Sequence, residues 1–182
     1  MPPEAERKKG REEPGVSVVS AVFSPEIITL KAHRNVLCAR STYFDAMFNS
    51  DCREATTGVI RLGSDTSVEA MKLVLKFLYT STIDLTNDIV VNVMKISHRY
   101  QLTDLYDRCM EYCKEIVDAT VAVEWLVASH SLVLEDLEQL VMTYLKWNFR
   151  KVQKLGDDEP LKRLCCNQDV MLEVLKAVEF VN

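Results

Sequence analysis

All strands that the hydrophobic pattern predicts lie in the first half of the chain. Two β-branched runs, residues 16–23 and 27–31, are separated by a short turn segment and predict a β-hairpin. Residues 58–63 predict a brief third strand bounded by glycines, and residues 83–85 predict a small edge strand. Later apolar residues recur at helical spacing. This order predicts an α+β unit followed by an all-helical extension.

The predicted helices begin at serines and carry one apolar face each. Ser41 and Ser67 stand where an N-cap is needed, ahead of helices whose apolar residues recur at i, i+3 and i+4. In the second half the pattern is clearest over Leu137, Leu140, Val141, Tyr144 and Leu145. We therefore expect helices to the end of the chain, interrupted near Gly156 and Pro160.

Composition limits the classes of function. The 182 residues are 48% hydrophobic and 27% charged, which is typical of a globular protein with its own core. The net charge of −5 argues against a nucleic-acid partner, since the basic cluster at residues 7–11 is flanked by glutamates. No stretch reaches the roughly 18–20 apolar residues of a membrane span. Residues 1–14 lack the apolar block of a secretory signal, so we expect a disordered arm on a cytoplasmic or nuclear protein.

The residues that could carry chemistry are few. The sequence contains no H-E-x-x-H pattern, no G-x-S-x-G elbow and no glycine-rich phosphate loop, so we predict no cofactor and no small-molecule substrate. Cys109 and Cys113 share a helical face and could hold a metal together with a histidine, which would make the chain a thiol- or metal-dependent enzyme. We favour the alternative that both are small apolar core residues. For Cys165 and Cys166 we predict one buried and one exposed thiol.

Two aromatic residues, Trp125 and Trp147, are not easily placed in a core, because their neighbours on each helix are already apolar. A half-exposed tryptophan is a frequent anchor of protein interfaces. We therefore name Trp147 as a candidate anchor for a client protein. Tyr43, Phe44 and Phe48 could form a partner-binding stripe, but aromatic residues at this spacing usually belong to a core, and we predict that they are buried.

Residues 31–48, KAHRNVLCARSTYFDAMF, strongly resemble the signature of the BTB/POZ family, commonly written A-H-R/K-x-V-L-x-A-x-S-x-Y-F-x-x-M-F. The resemblance continues at residues 74–80, similar to the family's L-x-F-I-Y-T-G, and at residues 96–102, similar to its A-D-x-Y-x-L turn. Residues 116–182 resemble the three-box and BACK helices that follow this domain in many cullin-3 adaptors. The resemblance thus implies a disordered arm at 1–14, a BTB/POZ domain at 15–115 and a three-box/BACK-like segment at 116–182.

The resemblance also implies a core and a protein-binding surface. The core would consist of Phe44, Met47, Phe48, Leu75, Leu78 and Tyr79. In cullin-recruiting members a hydrophobic-x-Glu motif docks on the N-terminal domain of the cullin, and the matching residues here are Cys52, Arg53 and Glu54, expected on an exposed loop. The remaining residues assigned to this surface are His98, Arg99 and Tyr100 on the following turn, and Leu126 and Leu137 in the three-box helices.

Two departures from the family pattern bear on function. Cysteine at position 52 offers less apolar area than the usual methionine or leucine, a loss of about 1 kcal/mol. No amphipathic helix precedes the first strand, so the usual dimer contact is in doubt. The leading hypothesis is an adaptor between a client and a cullin-3 RING ubiquitin ligase. The alternative is a scaffold or regulatory protein that pairs with other BTB chains and binds no cullin.

Overall fold

The computed structural model describes residues 18–23, 28–63, 65–155 and 159–179. The predicted arm at residues 1–14 lies outside the described residues, as does the predicted break at Gly156. Among the described residues, no helix combines the length and hydropathy that a membrane span requires.

A small sheet forms from strands β1 (Val18–Phe23), β2 (Ile28–His33) and β3 (Val59–Arg61). The strand order is β2-β1-β3, with β1 antiparallel to β2 and parallel to β3. In the central strand β1, Ala21 pairs with Leu30 of β2 on one side and with Ile60 of β3 on the other. The predicted hairpin and the predicted third strand are therefore confirmed.

The described part of the chain contains ten helices, three of them between β2 and β3 and seven after β3. They are α1 (Arg34–Arg40), α2 (Thr42–Phe48), α3 (Arg53–Thr57), α4 (Val68–Thr80), α5 (Asn87–Arg99), α6 (Thr103–Ile116), α7 (Ala122–Leu132), α8 (Glu135–Gln153), α9 (Glu159–Cys166) and α10 (Gln168–Glu179). Helix α7 packs on α5 as well as on α8, α9 and α10. One hydrophobic cluster consequently runs from the sheet through the helical extension.

The predicted edge strand at residues 83–85 is wrong, because this segment is a loop between α4 and α5. Ile83 and Leu85 are half-buried against the core, whereas Asp84 is exposed and pairs with Lys76 at 2.9 Å. The alternation of apolar and polar residues thus reflects a loop packed on helices, with no strand pairing.

The predicted core of the first half is largely confirmed. Phe44, Phe48 and Leu78 are at most 3% exposed, and Met47 and Leu75 are half-buried against the same cluster. The prediction is wrong for Tyr79, because this residue is 47% exposed. The Tyr79 hydroxyl accepts a hydrogen bond from the backbone N–H of His33 at 2.7 Å. Its role is to tie the end of β2 to the end of α4.

Ser41 connects two distant parts of the chain. Its hydroxyl caps α2 by accepting from the N–H of Phe44 at 3.2 Å, and it donates to the carbonyl of Tyr100 at 2.7 Å. The Ser41 residue is 3% exposed, so both bonds are shielded from water. Ser67 caps α4 in the same way, through Ala70 N–H at 3.2 Å, but it is only half-buried and makes no comparable long-range bond. Both predicted caps are confirmed.

The cysteine pair on α6 lies in the core. Cys109 and Cys113 are 0% exposed, and burial raises the pKa of each thiol to about 12. Within the described ranges, no cluster of three or more His, Cys, Asp and Glu side chains has a metal-binding arrangement. The prediction for Cys165 and Cys166 is wrong, since both are exposed near the C-terminal end of α9.

Replacing Ser41 tests how strongly the buried cap joins the two segments. We expect Ser41→Ala to lower the free energy of unfolding by about 2 kcal/mol, because it leaves a buried carbonyl and a helix N–H without partners. The matched variant Ser67→Ala removes only a cap and should cost about 1 kcal/mol. Urea denaturation of both variants measures the difference, and equal losses would contradict the structural role assigned to the Ser41–Tyr100 bond.

Thiol labelling tests the cysteine environments. We expect Cys165 and Cys166 to react with a thiol reagent at pH 8 in the folded protein, because both are exposed. Cys109 and Cys113 should react only after unfolding, since burial keeps them protonated as well as inaccessible. Mass spectrometry of the labelled peptides reads out each site. Fast labelling of Cys109 and Cys113 in the native state would contradict this assignment and would favour the hypothesis of a thiol- or metal-dependent enzyme.

Candidate interaction surface

Helix α2 places the two main predicted segments at its opposite ends. At its start, Tyr100 stacks on Phe44 with ring centroids 4.8 Å apart. At its end, the carbonyl of Met47 accepts a hydrogen bond from the Cys52 thiol at 3.2 Å. A helix of seven residues is about 10 Å long, so Cys52 and Tyr100 contact α2 at points about 10 Å apart.

Cys52 has a local structural role that the sequence did not predict. Its sulfur accepts a hydrogen bond from the N–H of Ala55 at 3.3 Å and so caps α3. The expectation of an exposed loop is therefore wrong: Arg53 and Glu54 form the first turn of α3. The chain can start a helix here because Cys52 is extended and its short side chain places an acceptor sulfur next to the first-turn N–H groups; leucine has no such acceptor, and the methionine sulfur lies farther from the backbone.

Glu54 lies beside a shallow recess between α3 and β3. The recess measures about 130 Å³ and is lined by Arg53, Glu54, Thr57, Val59 and Arg61. Arg53 and Arg61 are exposed and Glu54 is half-buried. A partner that contacts Glu54 in this recess would therefore also meet two basic side chains.

The turn between α5 and α6 exposes two of the three predicted residues. His98 and Arg99, in the last turn of α5, are exposed. Tyr100 is 3% exposed, and burial raises the pKa of its hydroxyl to about 12. The prediction that Tyr100 contacts a partner is wrong. Tyr100 is a core residue, because its ring packs against Tyr43 and Phe44 of α2.

An ion pair holds the loop before α4 against α5. Lys95 donates to the carboxylate of Asp65 at 2.6 Å and to its carbonyl at 2.9 Å. The hydrogen bond from Lys95 and the positive charges of Lys95 and Arg99 keep the pKa of the Asp65 carboxyl below its usual value. The position of the Arg99 end of α5 is thereby fixed relative to the loop that follows β3.

Two aromatic residues of this surface were missed by the sequence analysis. Tyr43 was assigned to the core but is 37% exposed, with its ring edge against Tyr100 at 5.3 Å. Tyr106 lies beside His98, with ring centroids 6.0 Å apart, and donates from its hydroxyl to Asp136 at 3.3 Å. Each lies one residue from a buried position, Phe44 and Leu105 respectively. Successive residues of a helix are about 100° apart around its axis, so a residue next to a buried one can face the surface. This spacing is the sequence signal that could have indicated the exposure of both tyrosines.

A groove between α6 and α8 extends from Tyr106. Its volume is about 460 Å³, and its apolar lining comes from Met110 and Leu140. Burial, followed by the charge of Asp136, raises the pKa of Tyr106 to about 12. The tyrosine therefore remains a neutral hydrogen-bond donor over the physiological range.

The two residues that were predicted to contact a partner from the three-box helices do not lie on the surface. Leu126 and Leu137 are 0% exposed, because α7 and α8 use these positions to pack against each other and the rest of the core. The exposed apolar side chain of this region is Val133, which is 68% exposed in the turn between α7 and α8. Val133 has φ 56°, a left-handed conformation that is costly for a β-branched residue.

The two tryptophans have opposite environments. Trp125 is 2% exposed, and its indole N–H donates to the carbonyl of Asn87 at 3.3 Å. Trp147 is 68% exposed on α8, with the Lys146 ammonium 5.7 Å from its ring centroid. Its exposure agrees with what an anchor residue needs, while its role as a client anchor stays a prediction.

Comparison with known proteins identifies the family. The family model of the BTB/POZ domain matches residues 21–117. Kelch repeat and BTB domain-containing protein 4 of Mus musculus is 35% identical over 101 residues, which cover 54% of this chain and 19% of that protein. Kelch repeat and BTB domain-containing protein 12 of Danio rerio is 28% identical over 135 residues, 74% of this chain and 22% of that protein. Kelch-like ECH-associated protein 1A of Danio rerio is 25% identical over 137 residues, 75% and 23% respectively.

The chain spans about a fifth of the length of these relatives. The matched segment contains the sheet and helices α1 to α6, the elements that hold the α3 and α5–α6 surfaces. The chain belongs to the BTB/POZ family of protein-interaction domains.

Proposed function

We propose that this protein is an adaptor that links a client protein to a cullin-3 RING ubiquitin ligase. The observation that carries the proposal is the placement of Glu54 on α3 and of His98 and Arg99 on α5 at the two ends of α2. These exposed or half-exposed groups are held by buried contacts, so they need little ordering when a partner binds.

The α3 end of the surface supplies charge and the α5–α6 end supplies aromatic area. Glu54 is the acidic group of the hydrophobic-x-Glu motif. Tyr43, packed on Tyr100, and Tyr106, beside His98, offer partly exposed rings. Aromatic side chains with basic neighbours are common at the energetic centre of protein interfaces. The proposed cullin helices would lie across these groups, with the α6–α8 groove as a continuation.

Val133 replaces Leu126 and Leu137 as the proposed contact from the three-box region. Its left-handed backbone is costly for a β-branched residue, and its side chain is 68% exposed and so accessible to a partner. A partner that covers the side chain would offset part of that cost. The proposal thus keeps a contribution from the helical extension, through the turn between α7 and α8.

The scaffold alternative is favoured by one observation. The Cys52 sulfur is already engaged with the backbone at Met47 and Ala55, so it offers a cullin little free apolar surface. A BTB chain with a weak hydrophobic position would then bind other BTB chains and no cullin. Titration with the purified N-terminal domain of cullin-3 separates the two hypotheses.

Reversing the charge at position 54 tests the adaptor proposal. We expect Glu54→Lys to weaken binding to the cullin-3 N-terminal domain at least about tenfold, because a carboxylate in the contact becomes a like charge among Arg53 and Arg61. The free energy of unfolding should fall by no more than about 1 kcal/mol, since the half-buried side chain contacts no described core residue by hydrogen bond or ion pair but the lysine places a cation in the first turn of α3. Isothermal titration calorimetry measures the affinity.

Glu115→Lys is the matched control for this experiment. Glu115 is exposed near the end of α6, about 18 Å along that helix from the α5–α6 turn, and the substitution changes the net charge equally. We expect it to bind cullin-3 like the wild type. Equal weakening by both variants would show a general charge effect. No binding of the wild type at about 100 µM would remove the adaptor function in favour of the scaffold.

A larger side chain at position 52 tests whether the cysteine caps α3 at the expense of apolar contact with a cullin. We expect Cys52→Leu to bind the cullin-3 N-terminal domain several-fold more tightly, since a few tens of Å² of added apolar area are worth about 1 kcal/mol. The same variant should lose about 0.5–1 kcal/mol of folding stability, because leucine cannot cap α3. Calorimetric titration and urea denaturation measure the two effects, and weaker binding by a folded variant would refute the assignment of this position.

A further inference from the structure

The exposed side of the second half of α8 combines one aromatic residue with several cations. Trp147 lies on this side, with Arg150 and Lys151 one turn later and Lys154 at the helix end. Lys146 contributes the cation that approaches the indole ring. We call these five residues the basic–aromatic face of α8.

The charge of this face is opposite to that of the chain. The protein has a net charge of −5, yet residues 139–156 contain four basic and no acidic side chains. None of these four cations forms an ion pair with another described residue, although the pairs of Lys76, Lys95, Lys162 and Arg163 show that described cations elsewhere do. Asp157 and Asp158 follow in sequence and lie outside the described residues.

Helix electrostatics explain only part of this pattern. Cations in the last turn of a helix interact favourably with its C-terminal dipole, which accounts for Arg150, Lys151 and Lys154. The dipole effect does not extend to Lys146, two turns before the end, and it gives no reason for a tryptophan that is 68% exposed. An exposed indole next to cations that pair with no described residue has the composition of a binding surface.

We propose that the basic–aromatic face of α8 binds an acidic peptide segment of a partner protein, with an apolar side chain of the peptide packed against Trp147. The inference rests on the adaptor function proposed above and specifies the chemistry of the client contact. Carboxylates of the peptide pair with Arg150, Lys151 and Lys154, and its apolar group covers the indole. The acidic partner is chosen by charge complementarity, since no described acidic side chain pairs with these four cations.

Two other macromolecules fit this face less well. A membrane surface would need several apolar side chains to insert, whereas Trp147 shares its side of α8 with the polar Gln139 and Thr143. A nucleic acid would need a longer basic track on a protein that is not acidic overall. Anionic vesicles and a single-stranded oligonucleotide therefore serve as comparison probes.

The test uses a fluorescein-labelled acidic peptide in which one phenylalanine stands among aspartates and glutamates. A control peptide carries lysines in place of the acidic residues. We expect the full chain to bind the acidic peptide by fluorescence anisotropy, with an affinity that falls as salt is raised. The emission of Trp147 should shift to shorter wavelength on binding, against a constant contribution from the buried Trp125.

Three variants locate the site. Trp147→Ala should weaken binding of the acidic peptide about tenfold or more without unfolding the protein, because the side chain is mostly exposed. Lys151→Glu should weaken it about fivefold. The matched control Lys72→Glu changes an exposed lysine of α4 and should leave the affinity unchanged.

Several outcomes would overturn the inference. They are equal binding of acidic and basic peptides, equal loss in Lys151→Glu and Lys72→Glu, tighter binding to vesicles or oligonucleotide than to the acidic peptide, and no binding at about 100 µM peptide. The result is distinguishable from failure of the adaptor proposal. Trp147→Ala should retain wild-type affinity for the cullin-3 N-terminal domain, and Glu54→Lys should retain wild-type affinity for the peptide.

Discussion

The contact between α2 and the α5–α6 turn is the interaction on which the rest of the structure depends. The Ser41 hydroxyl joins the two segments through the Tyr100 carbonyl, and the Tyr100 ring stacks on Phe44. Both groups are withdrawn from water, where a lost hydrogen bond is costly and stacked aromatic area is stabilising. Because α2 also ends beside Cys52, the same contact determines where both parts of the proposed cullin surface are presented.

Helical periodicity and β-branched runs were sufficient to predict most of the fold. The hairpin, the third strand, the serine caps and the helix α8 all follow from side-chain patterns that the tertiary structure preserves. Residues 83–85 failed because three residues of alternating hydrophobicity can pack as a loop on helices as well as pair as a strand. The helix α3 was missed because its cap is a cysteine, which is not among the usual capping residues.

The candidate surface was harder to predict than the fold, because a family motif locates a segment but does not give the exposure of each side chain. Tyr100 lies in the segment that the family model matches, and Leu126 and Leu137 lie in the predicted three-box helices, but all three are buried. Tyr106 and Val133 sit next to buried positions, and their exposure depends on how α6, α7 and α8 pack. The exposure of Trp147 could be anticipated, since its neighbours on α8 already supply an apolar face.

The central claim is that α3 and the end of α5 form one cullin-binding surface held together by α2. Hydrogen–deuterium exchange of the full chain, with and without the cullin-3 N-terminal domain, tests it most directly. The account predicts slower exchange of the backbone amides at residues 53–58 and 99–103 in the complex, with α9 and α10 unchanged. A complex that forms while both of these segments exchange at their free rates would contradict it.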